Sequence, residues 1–161
     1  MDDLYYMDKA LKLAEEAAQA GEVPVGCVIT LGDEIVGRGR NRREESGSAL
    51  AHAEIEAIHE ACTRLGGWRL WQCTLYVTLE PCSMCAGAIL NARIPRVVYG
   101  ASDKKFGACR SVCSLFDMNF NHHPKVEAGV REEESAALLK EFFQNLRLEL
   151  RSRPKWKKPQ S

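Results

Sequence analysis

The sequence predicts an α/β domain, a mixed five-stranded sheet with helices on both faces. Three observations predict it. Apolar stripes at helical spacing alternate with short β-branched runs, in the order α-β-β-α-β-α-β-(α)-β-α. The first run, Val23 to Leu31, is apolar almost throughout, which marks a strand covered on both sides. The 161 residues, 45% of them hydrophobic, suit one core. Residues 1–150 are assigned to that domain and 151–161 to a basic, mobile tail. No internal repeat or low-complexity segment interrupts it.

Leu4, Met7, Leu11, Ala14 and Ala18 recur at steps of three and four. They predict a helix from Asp2 or Asp3 to Ala20, stopped by Gly21. After the Val23–Leu31 strand, Gly32-Asp33 turns the chain into a second strand, Glu34 to Gly39. The polar stretch Asn41 to Ser48 is expected as a loop. A second helix follows, from Ala49 or His52 to Leu65, ended by Gly66-Gly67.

Thr74 to Leu79 is the third strand, Cys82 to Arg93 the third helix and Arg96 to Gly100 the fourth strand. Ser102 to Asn121 is irregular, with a short helix expected over Ser111–Met118. Lys125 to Val130 is the fifth strand. Glu132, Glu133 and Glu134 open the last helix, whose expected stripe is Ala136, Leu139, Phe143, Leu146 and Leu150.

Charge and cysteine usage narrow the function. Basic and acidic residues both total 22, so any attraction to nucleic acid has to come from a local patch. Seven cysteines, an odd number, and no secretory leader point to a reducing, cytoplasmic setting. No apolar run reaches membrane-spanning length.

Two short motifs carry chemistry. Pro81-Cys82-Ser83-Met84-Cys85 places two thiols on one side of a helix's first turn, where free N–H groups favour thiolates. Alone, this could be a redox dithiol or half of a four-cysteine structural site. No second Cys-x-x-Cys completes such a site; Cys109 and Cys113 are expected only to pack. His52-Ala53-Glu54 supplies the missing half. His-x-Glu followed by Pro-Cys-x-x-Cys is the signature of zinc deaminases acting on nucleobases. His52, Cys82 and Cys85 are the expected ligands of one Zn²⁺, leaving its fourth position for water. Glu54 is the expected proton shuttle: the zinc-bound water attacks the amino-bearing carbon, and ammonia leaves. Glu56 and His59, on the same helix, are expected on a solvated face.

Val23-Pro24-Val25-Gly26, His52-Ala53-Glu54 and Tyr76 through Ala88 together resemble the bacterial tRNA-specific adenosine deaminases of the cytidine deaminase-like superfamily. The likeness continues through Arg96 to Ala101, Asn121-His122, Ala136 to Leu139 and Phe142-Phe143. It implies a three-layer α/β/α sandwich, a homodimer and deamination of adenosine at C6 to inosine at the wobble position of a tRNA anticodon stem-loop. It also implies substrate contacts at Asn41, Ala53, Asp103 and His122. Asp103, Lys104 and Lys105 fall in the loop corresponding to the one that meets the anticodon. Phe106, Cys27, Cys109 and Cys113 depart from the family pattern. Two alternatives stand beside this reading. One is the same chemistry on a free base or nucleoside such as guanine or cytosine. The other is a structural zinc or redox module.

Overall fold

Asp2 opens the computed structural model, which describes residues 1–152, by accepting a hydrogen bond from the Tyr5 amide. It caps helix α1 (Asp3–Gln19), and Asp3 adds negative charge to its first turn. Strands β1 (Gly26–Leu31) and β2 (Glu34–Arg40) form a hairpin. A short helix α2 (Arg43–Ser46) and helix α3 (Ala53–Leu65) follow. Then come β3 (Cys73–Leu79), α4 (Ser83–Ala92), β4 (Arg96–Ala101), one 3₁₀ turn (Leu115–Asp117), β5 (Lys125–Glu127) and α5 (Glu132–Ser152).

The sheet order is β2-β1-β3-β4-β5. β1 is antiparallel to β2 and β3, whereas β4 is parallel to β3 and β5. The expected mixed five-stranded sheet is therefore present. Its strands alternate in side-chain direction, and both directions are apolar. Cys27, Ile29, Leu75, Val77, Val97 and Tyr99 point to the layer that holds α3 and α4. Val28, Tyr76 and Val98 point the other way, toward Tyr6, Met7 and Ala10 of α1. α5 packs on β4 and α1, completing that second layer.

The structure revises several details. Residues 43–46, expected in a loop, form α2. Only Leu115–Asp117 of the expected Ser111–Met118 helix is helical, as a 3₁₀ turn. β5 ends at Glu127, three residues before the expected Val130. α5 turns a different face inward: Ser135 is buried and Leu138, Leu139, Phe142 and Leu146 are half-buried, while Ala136, Phe143 and Leu150 are exposed. Leu4 of α1 is exposed as well. α5 includes Arg151 and Ser152, and residues 153–161 of the expected tail lie outside the described residues.

Candidate metal centre

Two helix starts meet at one point. His52 occupies the N-cap position of α3 and Cys82 that of α4. Neither side chain caps its own helix. They turn toward each other instead: Nδ1 of His52 lies 3.6 Å from Sγ of Cys82 and 3.5 Å from Sγ of Cys85. All three donor atoms lie within 4.8 Å of one another. A tetrahedral ion with bonds of about 2.3 Å to sulfur and about 2.0 Å to nitrogen needs N···S separations of about 3.5 Å. The cluster has that spacing, and two thiolates with one imidazole form a donor set for a borderline-soft ion. The residues fit a metal.

The positive ends of both helices face the cluster and favour thiolates. A hydrogen bond from Cys85 lowers the Cys82 thiol to about 4, against burial and with help from His52. The same bond, with burial, pushes Cys85 upward. Cys82 is thus the sulfur favoured as thiolate, and a metal ion requires both sulfurs in that form. His52 is raised by its bond to Cys82, which outweighs the opposing effect of burial.

Glu54, 4% exposed, sits in the first turn of α3. Burial raises its carboxyl to about 7, with its own backbone opposing and the Cys82 charge adding to the rise. A divalent cation alongside pulls this value down. Glu54 is thus a buried carboxyl at the start of α3 beside the three donors, the setting in which general bases work.

The other expected site residues have distinct placements. Asn41 is buried at the end of β2, and its Oδ1 accepts the Arg43 amide at 3.1 Å. Ala53 is fully buried under Gly39 of β2. Asp103 shapes its own loop, accepting from the amides of Lys105 and Phe106 at 3.1 and 3.2 Å. His122 is not brought to the cluster. Its Nε2 lies 2.7 Å from the Ile94 carbonyl oxygen, beyond the far end of α4, whose ten residues span about 15 Å. Glu56 is not merely solvated, because it accepts from Nε of Arg42 at 2.7 Å. Cys109 packs in the core, and Cys113 is exposed.

Two buried carboxylates escape the sequence reading. Glu22 accepts the amides of Glu44 and Glu45, both at 2.9 Å, and so starts α2 just after Asn41. Glu80 accepts from four backbone amides and one hydroxyl of residues 103–111. Burial works against its ionisation, but these bonds prevail and its carboxyl lies below its ordinary value. The only signal for either in the sequence is an acid set directly against an apolar run.

A groove of about 470 Å³ between α1 and α5, lined by Glu15, Ala18, Leu138, Phe142 and Leu146 among others, lies on the opposite face of the sheet. It contains none of these residues.

Known proteins are similar to this chain in sequence and in fold. A family model described as MafB19-like deaminase matches residues 1–147. The chain is 49% identical over 143 residues to a tRNA-specific adenosine deaminase of Streptococcus pyogenes serotype M18 (strain MGAS8232), covering 88% of this chain and 90% of the relative. To the tRNA-specific adenosine deaminase of Bacillus subtilis (strain 168) it is 47% identical over 146 residues, 90% of this chain and 91% of the relative. A solved structure from studies of A-to-I editing by tRNA:A34 deaminases at the wobble position of transfer RNA matches with a TM-score of 0.81. It is 46% identical, over 84% of this chain and 99% of that one. A guanine deaminase from Bacillus subtilis matches with a TM-score of 0.63 at 30% identity, over 98% and 99% of the two chains.

Proposed function

Since the chain belongs to the MafB19-like deaminases and, among them, to the tRNA-specific adenosine deaminases, we propose that it converts adenosine to inosine at the wobble position of a tRNA anticodon. The observation that carries the chemistry is Glu54, buried beside three donors spaced for one metal ion. Zinc held by His52, Cys82 and Cys85 supplies the Lewis acidity that makes water nucleophilic near neutral pH.

The chain's own residues handle the protons and the base. Glu54 takes a proton from the attacking water and delivers it to the purine ring nitrogen. Hydroxide adds at C6; Glu54 then takes the remaining proton from the new C6 hydroxyl and gives it to the exocyclic amine, whose bond to C6 breaks as ammonia leaves. A carbonyl remains at C6. Asn41 orients the base: Oδ1 is held by the Arg43 amide, which fixes the direction in which Nδ2 donates. Ala53 lies between the ligand His52 and Glu54, so its part is played through the backbone that fixes both. Asp103 sets the loop that carries Lys104 and Lys105, whose charges suit a phosphate backbone. In this reading His122, whose Nε2 lies against the Ile94 carbonyl oxygen one helix length from the cluster, meets the RNA outside the reacting nucleotide.

An anticodon loop suits this site because its nucleotides are already partly unstacked, which lowers the cost of extruding one. The homodimer and the cytoplasmic setting belong to the same reading. Among the described residues, no helix is long and apolar enough to cross a membrane. Deamination of free guanine is the second reading, favoured by the match to the guanine deaminase along nearly all of both chains.

The deciding experiment incubates zinc-loaded protein with a panel of tRNAs, their anticodon stem-loops, and free guanine, cytosine and adenosine. Inosine confined to the wobble position is the expected result. Turnover of a free base without RNA processing replaces the reading with the second one.

A further inference from the structure

Glu80 ends β3's run toward the cluster, two residues before Cys82, and is 2% exposed. No cation pairs with it among the described residues. The groups bonded to it are backbone amides and one hydroxyl. Oε1 accepts the Asp103 amide at 3.1 Å and the Ser111 hydroxyl. Oε2 accepts the amides of Cys109, Arg110 and Ser111 at 3.1, 3.0 and 3.0 Å. A ring of amides around one anion is a strongly directional way to fold a loop.

The backbone shows how closely this loop lies against the helix entry. The Ala108 amide donates to the Pro81 carbonyl at 2.8 Å, and Gly107 bridges Cys82. A Cβ on Gly107 would collide with Cδ of Glu80 and stand 2.5 Å from the Asp103 carbonyl oxygen, so no other residue fits. The loop's tip is in turn organised by Asp103, which also receives the Gly107 amide on its carbonyl at 2.8 Å. The tip exposes Lys104, Lys105 and Phe106, the last at 70%.

We propose that Glu80 is a positioning residue for substrate: it locks the Asp103–Ser111 loop to the Pro81-Cys82 entry of α4, so that the basic, aromatic tip stands at a fixed place beside the metal centre. This rests on the tRNA reading for the identity of what the tip meets. It assigns the tip's order to one buried carboxylate rather than to packing, since Lys104, Lys105 and Phe106 have little core to rest on.

The two oxygens make separable demands. A glutamine at this position has one acceptor oxygen. It satisfies the three amides at Oε2 best, which leaves its NH₂ facing the Asp103 N–H, while the Ser111 hydroxyl can rotate and accept. Glu80→Gln therefore releases the Asp103 side of the loop and keeps the 109–111 side.

The test uses the full-length, zinc-loaded chain with Glu80→Gln beside wild type. Amide hydrogen exchange at 103–107 is expected to accelerate about tenfold or more, with 109–111 remaining protected. Metal content stays at the wild-type level. KM for an anticodon stem-loop rises about tenfold while kcat changes little. Unchanged exchange at 103–107, or exchange that rises across the whole chain together with loss of metal, overturns the proposal. If Glu80→Gln does not fold, Ser111→Ala removes one bond to Oε1, and the same exchange signature is expected at smaller size; its absence also overturns the proposal. Should wild type process no RNA, the functional reading fails, whereas the exchange pattern still decides the role of Glu80.

Discussion

His52 and Cys82 hold positions where helices ordinarily place a capping residue, yet neither caps. Two uncapped starts cost about 1 kcal/mol each, and in return both donors aim at a common point. Their roles separate by mutation. Cys82→Ala is expected to lose the metal itself, read by metal analysis of purified protein. Glu54→Gln is expected to keep the metal and lose turnover by a factor on the order of 10³, read by inosine release. Substantial activity in metal-loaded Glu54→Gln would remove Glu54 from the mechanism. These residues were legible in the sequence because each motif half is local, with ligand spacing set by one helical turn. Glu22 and Glu80 were not, because their partners stand 22 to 31 residues away and are backbone amides of no particular residue type. Asn41 shows both faces of the problem: its backbone-bound Oδ1 is ordinary turn chemistry, and the same bond is what orients it.

At the scale of elements, α3 rests on β2 through a seam of small residues. A Cβ on Gly39 would collide with the Ala53 carbonyl oxygen and stand 2.8 Å from the Ala57 nitrogen. Gly39→Ala must push the start of α3 outward, and His52 and Glu54 move with it. The expected outcome is about 1–3 kcal/mol of lost stability in urea unfolding, together with weakened metal binding. A loss of stability with metal affinity intact would show that the cluster tolerates the shift. α1 is tied to the sheet by charge: Asp3 accepts from Arg96 at 2.8 and 2.6 Å and from the Tyr76 hydroxyl at 2.8 Å. The Arg96 bond leads in holding the Asp3 carboxyl at about 2, below its ordinary 3.8, against burial and with help from Tyr76. A depressed acid contributes stability above its unfolded value and loses it as pH falls through the folded one. Asp3→Asn should therefore cost about 1–2 kcal/mol at pH 7, after allowance for partial exposure, and the gap should close between about pH 4 and pH 2. Equal gaps at both ends of that range would assign the effect to shape rather than charge. Helices and strands with a single apolar pattern were legible here. α2 was not, since four residues carry no periodicity and its amides are satisfied from Glu22. α5 was placed but turned, because paired Leu138-Leu139 and Phe142-Phe143 offer overlapping stripes and only the neighbours choose between them.

At the scale of the whole molecule, the sheet divides the labour. One layer, α3 with α4, carries the candidate metal site; the other, α1 with α5, is tied down by Asp3 and by Asp8, which accepts from Arg131 at 2.9 Å. Residues 153–161 follow α5 and carry Arg153, Lys155, Lys157 and Lys158 around Trp156. If they bind RNA, truncation after Ser152 raises KM for the stem-loop and flattens its salt dependence by about 0.7 in log–log slope for each phosphate no longer neutralised. An unchanged slope would make the tail irrelevant to substrate. The mixed sheet and its covering helices followed from the order of apolar runs, whereas the long 102–121 connection is ordered by bonds no local pattern announces. The cluster itself joins segments 30 and 33 residues apart. An ion there is consequently a crosslink between two helices as well as a reagent, and folding free energy becomes tied to metal supply. Ion free in solution at a thousandfold over its dissociation constant adds about 4 kcal/mol to stability. The melting temperature measured across buffered metal concentrations is then a gauge of site occupancy, and it works without any substrate.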